Sequence, residues 1–249
     1  MTVLILALIA GAVVGLTLGA LGGGGSVLAV PALIYLLGFT PAAATTASLI
    51  IVTATSLTAL YAHARAGHVR WKAGAAFAAA GILPAAAAGA AATHMPQTVL
   101  TVAFAAIAAL SAIKMLRPAA TARPKDGGVR PGKAAGAGAG LGTLTGLLGV
   151  GGGFLAVPAL VTVLAFEMEA AVGTSLLVIT VNSLASLATR SGAAASLDWA
   201  LIGPFIGTAI LGAWDGKRIA AKVSATHLQR IFAMVLLAVA AFMLADAVT

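Results

Sequence analysis

No Asp, Glu, Lys or Arg occurs before Arg65, and the charges that follow sit almost entirely between apolar runs. This distribution limits the fold more than any motif does. Hydrophobic residues make up 61% of the 249 positions and charged residues 8%, against about 45–50% and about 25% in soluble domains. A water-soluble fold of this size cannot hide so much apolar surface, and disorder requires the opposite composition. Runs such as Thr98–Leu116 show no apolar/polar alternation, which argues against a membrane β-barrel. With no Cys, a disulfide framework is out. The expected class is an all-α polytopic membrane protein. The net charge of +8 reads as membrane topology rather than nucleic-acid binding, because the basic residues lie between apolar runs. The opening MTVLILALIA lacks the basic region of a cleaved signal, so the first helix is expected to belong to the mature protein.

The chain contains an internal repeat. GALGGGGSVLAVPAL at 19–33 returns as GLLGVGGGFLAVPAL at 146–160, and residues 19–60 match 146–187 at 21 of 42 positions at a constant offset of 127. Gly22/Gly149, Pro31/Pro158, Ser48/Ser175, Thr53/Thr180 and Ser56/Ser183 all fall in this register. One inserted residue later, Trp71 pairs with Trp199 and Phe104 with Phe232. Chance similarity of Ala/Leu-rich sequence does not align Gly, Pro, Ser and Trp together. The expected organisation is a first transmembrane repeat over 1–116, a basic linker over 117–133 and a second repeat over 134–249. The linker, RPAATARPKDGGVRPGK, is rich in Pro, Gly and basic residues and has no apolar period.

Each half holds five apolar stretches: 3–20, 27–38, 42–63, 73–93 and 97–116, then 135–148, 154–166, 170–189, 199–214 and 225–247. A full crossing takes about 20 helical residues. The stretches at 27–38 and 154–166 are too short, and both follow Gly-rich breaks. Interrupted segments at corresponding places in two halves are a sequence pointer to a transporter site. Each repeat is therefore read as a Gly-broken helix hairpin plus three transmembrane helices. A hairpin leaves an odd number of crossings per half and inverts the second repeat. One long broken crossing leaves the repeats parallel. Inversion brings Arg65, Arg70 and Lys72, the linker cations, and Lys217, Arg218 and Lys222 to one side. The positive-inside rule then favours inverted repeats and a cytoplasmic linker.

The breaks are the first candidate site. Gly22, Gly23, Gly24 and Gly25 let the backbone leave a helix ladder without a Cβ cost, and new helices are expected to begin at Ser26 and Gly153. A helix start presents unpaired N–H donors and partial positive charge, which suits an anion. Gly149, Gly151, Gly152 and Gly153 are the corresponding group. Tight helix crossing is the competing role for glycine in membranes. The polar residues Ser48 and Thr55 share one helix face, and Ser175 and Asn182 share another, each pair seven apart. With Ser183 they offer uncharged donors to an oxyanion at much lower burial cost than a cation. Helix–helix bonding, or bonding back to the preceding turn, is the alternative use of such hydroxyls.

No carboxylate sits at the centre of an apolar stretch, since Glu167, Glu169, Asp198, Asp215 and Asp246 lie near ends. His63, His68, His94 and His227 share no metal-ligand spacing, and no cofactor or catalytic residue is expected. His63 is read as an interfacial residue or as lining a vestibule. Expelling an anion from a negative interior is favourable by about 2.3 kcal/mol per charge at 100 mV. Export is therefore expected to need no coupled ion, with His63 as the one group able to carry a proton if it faces the cavity.

The two Gly-rich/VPAL motifs and TSLLVITVNS at 174–183 resemble the TauE/SafE family of sulfite exporter-like membrane proteins, over nearly the whole chain and both repeats. The resemblance implies export of small sulfur-containing anions, sulfite or an organosulfonate such as sulfoacetate, through the bacterial plasma membrane. It places the substrate path at the breaks and around Ser48 and Asn182. An anion channel on the same parts, and a non-transporting membrane scaffold, are the alternatives. The lipid bilayer and a small sulfur oxyanion are the expected partners, nucleic acid is not, and the sequence leaves a homo-oligomer open.

Overall fold

The computed structural model describes residues 2–22, 24–92, 97–116, 131–148, 153–162, 164–188 and 197–248. Its elements are α1 (Thr2–Leu21), α2 (Gly24–Pro31) running on into a π-helical turn (Ala32–Leu36), α3 (Pro41–Arg65), α4 (Trp71–Ala92), α5 (Gln97–Leu116), α6 (Pro131–Leu148), α7 (Gly153–Thr162), α8 (Met168–Ala188), α9 (Trp199–Ala220) and α10 (Ala225–Val248). Each of the ten expected stretches holds a helix, and no strand occurs among the described residues. Thr2–Leu21, Thr46–Arg65 and Met168–Ala185 are each long and apolar enough to cross a membrane. The helix expected from Ser26 begins two residues earlier, at Gly24, and that expected over 199–214 continues to Ala220. The linker residues before Pro131 lie outside the described set.

Large apolar side chains point outward along the bundle. Ile5, Ile9, Val13, Leu83 and Leu211 are exposed, Leu83 at 80%. In water such a belt is unfavourable; facing acyl chains it has no cost. Trp71 and Trp199, partners in the repeat, both open helices and are half-exposed, as suits indoles at a membrane interface.

The two halves fold alike at matched positions. Phe39 N–H donates to Leu33 O at 3.0 Å and Phe166 N–H to Leu160 O at 3.1 Å. Ala44 N–H donates to Thr40 O at 2.8 Å and Ala171 N–H to Glu167 O at 2.9 Å. Gly38 has φ +71 and its counterpart Ala165 has φ +52. The same left-handed turn thus ends the short helix of each half, once without a Cβ and once with one.

The halves are also interleaved. Helix α1 packs on α9, while its counterpart α6 packs on α4. Glycine makes both contacts close. A Cβ at Gly11 or Gly15 would come within 3.0 Å of the backbone oxygens of Phe205 and Ala209. One at Gly138 or Gly142 would meet those of Phe77 and Gly81 in the same way. These are equivalent pairs in the two repeats, and their order shows that α1 runs parallel to α9 and α6 to α4. Here tight crossing is the work of the isolated glycines. The centre is formed by α3 against α8. Ser56 meets Thr180 and Arg70 meets Thr174, so these two helices run antiparallel.

Candidate functional site: the Gly22 turn and the α3–α8 polar core

Among the described residues, the buried polar side chains lie on α2, α3 and α8: Ser26 on α2, Thr46, Ser48, Thr53, Thr55, Ser56 and His63 on α3, and Thr174, Ser175, Thr180 and Ser183 on α8. The polar content of these sequences is therefore turned inward, away from the apolar belt.

Gly22 ends α1 with φ +66, a conformation that glycine adopts without Cβ strain. Space demands glycine as well, because a Cβ there would stand 2.6 Å from Ser175 Oγ and 3.2 Å from Val172 O. The break of the first half is thus seated against the polar helix of the second. Gly24 and Gly25 begin α2, with Ser26 buried in its first turn, and Gly153 begins α7. Gly23, Gly149, Gly151 and Gly152 lie outside the described residues, and with them the second break.

Several hydroxyls bond back to their own helix. Thr55 Oγ1–H donates to Ile51 O at 2.6 Å, Thr53 to Leu49 O at 2.7 Å and Ser175 to Val172 O at 2.8 Å. These three donors are committed, which leaves their oxygen lone pairs for any other contact. Ser48 is buried and Asn182 half-buried. Ser183 differs from the rest: its Oγ is buried and has no hydrogen-bond partner. A hydroxyl left so costs on the order of 1–3 kcal/mol, and the cost disappears when an acceptor arrives.

A second group lies one turn from Gly22 and was not assembled by sequence reasoning. His63 Nε2 lies 3.3 Å from Gly19 O, which requires the ring N–H at Nε2. Lys217 Nζ–H donates to Ala62 O, and His68 Nε2 lies 3.2 Å from Glu169. Arg70 N–H donates to Thr174 Oγ1 at 3.0 Å, next to Ser175. His63 is buried within the bundle. Its neighbours come from α1, α9 and the α3–α4 loop, so no spacing in the sequence could have signalled them. The contact of Lys217 with Ala62 also sets the basic α3–α4 and α9–α10 loops at one end of the bundle. Gln229 Nε2–H, donating to Met115 O at 2.6 Å, brings the end of α5, where the linker starts, to the α9–α10 loop.

An all-helical bundle with an apolar belt and an uncharged polar centre defines a polytopic membrane protein. The chain belongs to the Sulfite exporter TauE/SafE family, a family of membrane transporters, whose model matches residues 7–243. Two similar proteins are both called "Probable membrane transporter protein". The one from Xylella fastidiosa (strain 9a5c) is 35% identical, with 97% of this chain and 95% of that protein covered. The one from Xylella fastidiosa (strain Temecula1 / ATCC 700964) is 34% identical over the same shares. No solved structure matches the chain.

Proposed function

We propose that the protein exports small sulfur-containing anions, sulfite or an organosulfonate such as sulfoacetate, across a bacterial plasma membrane. The anion binds where the Gly22 turn meets α8, between the two halves. One observation carries the reading: a turn that admits no Cβ is seated on Ser175, and the same helix holds the unpartnered hydroxyl of Ser183. Backbone N–H groups at the start of α2 and a free O–H are donors without charge, suited to an oxyanion that must also leave. The family supports the sulfur chemistry.

In this reading the halves are inverted repeats and the linker is cytoplasmic. The antiparallel packing of α3 on α8 supports inversion, since these helices are counterparts. The gathering of Arg65, Arg70, Lys72, Lys217, Arg218 and Lys222 at one end supports a cytoplasmic face there. We assign the opposite side of the site to Ser48 and to the Asn182 amide, which offers donors.

The test is sulfite efflux from proteoliposomes holding the purified chain under an inside-negative potential. Efflux well above that of protein-free vesicles, without unitary currents in planar bilayers, upholds a carrier. Efflux equal to the protein-free rate overturns the substrate, and unitary currents would make the protein a channel.

A further inference from the structure

We infer that His63 binds one proton together with each anion, so that the two move as a pair; this rests on the anion reading above. Three groups form a line from solvent to the buried turn. The Glu169 side chain is 58% exposed, that of His68 34%, and His63 4%. Glu169 and His68 are 3.2 Å apart, and the rings of His68 and His63 are neighbours, 5.9 Å apart between centroids. His63 Nε2–H is held by Gly19 O, leaving the lone pair on Nδ1, and this nitrogen is buried without a partner. His68 Nδ1 is likewise buried and unpartnered. A proton entering from water beside Glu169 passes His68 and ends on His63 Nδ1, turning imidazole into imidazolium with no other bond changed.

The surroundings make that step conditional on the anion. Lys217 on α9 faces His63 and already supplies a positive charge, held by Ala62 O. A second cation beside it is unfavourable at low dielectric unless a negative charge is also present. Gly19 lies one helical turn before Gly22, so an anion at the turn supplies it. Among the other elements packed on α3, Glu169 is the acidic residue of α8, α1 has no charged residue, and Arg65 and Lys72 are exposed at the bundle end. Linkage is reciprocal: the proton strengthens anion binding by the factor by which the anion strengthens proton binding. A dianion moving with one proton still carries one negative charge, so an inside-negative potential still drives it out.

Sulfoacetate, whose charge is fixed around neutral pH, separates protein-borne protons from those of the cargo. The zero-flux potential of the full chain in proteoliposomes is measured with and without a tenfold proton gradient. One proton per dianion shifts that potential by about 59 mV, and H63Q, which keeps a donor for Gly19 O but accepts no proton, shows no shift in whatever flux remains. An unshifted wild type, or a shifted H63Q, overturns the coupling. If sulfoacetate does not move under any driving force, that cargo is wrong and the proton step is judged alone. Nitrogen NMR of the full chain in nanodiscs, with His63 assigned through H63Q, then decides. With saturating sulfite present, an Nδ1–H signal appearing on acidification upholds the step, and an Nδ1 that stays unprotonated down to the pH of unfolding overturns it.

Discussion

Thr180 and Ser56 are hydrogen-bonded at 2.9 Å across the α3–α8 interface, and the equivalent pair in the repeat, Thr53 and Ser183, is not. The equivalence is close elsewhere in the same turn. Thr53 bonds Leu49 O and Thr180 bonds Leu176 O, and Ser56 also lies 3.2 Å from Thr53 O. The symmetry fails at Ser183 alone within this quartet, where a buried hydroxyl is left over.

Replacing the two serines should therefore separate stability from transport. Ser56→Ala removes the Thr180 contact and should destabilise by about 1 kcal/mol. Ser183→Ala removes a group that bonds nothing and should leave thermal stability unchanged or slightly higher. Its sulfite efflux should fall about tenfold, as for one lost hydrogen bond worth about 1.4 kcal/mol. Efflux and melting temperature measured side by side decide it, and normal efflux in Ser183→Ala would remove that hydroxyl from the site.

Asn182→Leu should weaken sulfite binding more than Thr55→Val does. The amide offers both donors and an acceptor, whereas the Thr55 hydroxyl proton is already given to Ile51 O. Concentration dependence of efflux measures the two, and equal small effects would make this face of α3 and α8 a packing surface.

Gly22→Ala meets the positive φ, Ser175 Oγ at 2.6 Å, and tight contacts at Val172 O, 3.2 Å, and Val157 Cγ2, 3.3 Å. Pairing it with Ser175→Gly removes the closest collision and leaves a left-handed alanine beside Val172 O and Val157, a residual cost of about 1 kcal/mol or somewhat more. Folded yield should recover in the double variant, while transport should not, because the cradle has been filled and the Ser175 hydroxyl removed. Recovery of both would show that the turn is structural only.

Glycines along the helices should sort by what surrounds them. Gly15→Ala drives a Cβ into the Ala209 carbonyl and should cost about 1–3 kcal/mol. Gly207→Ala has open space and should stabilise by up to about 1 kcal/mol through helix propensity. Thermal unfolding in one detergent gives both values, and a destabilised Gly207→Ala would contradict the packing described for α9.

Ala165→Gly should raise stability by about 1 kcal/mol, and Gly38→Ala should lower it by a similar amount. Both sit in the same left-handed turn, and nothing approaches a Cβ at Gly38. The difference is thus one of backbone conformation alone, readable as opposite shifts in melting temperature.

The helices were legible in the chain because membrane helices satisfy their backbone within one segment, so an apolar run of sufficient length dictates its own structure. The repeat was legible because matched Gly, Pro, Ser and Trp keep one register. The local demand for glycine at Gly22 could also be read, from its place between two helices. What Gly22 faces could not be read, since Ser175 lies 153 positions away and reaches it only because α1 packs into the other half. The hydroxyls of Ser56 and Ser183 are equivalent in sequence; only packing left one satisfied and the other free. His63 is the plainest case. It lies near a helix end, and contacts from α1 and α9 bury it beside Lys217, next to His68 and one turn from the break. Patterns of apolarity act within a segment and are written in it; a site between segments depends on which faces meet, and that is decided only when the bundle closes.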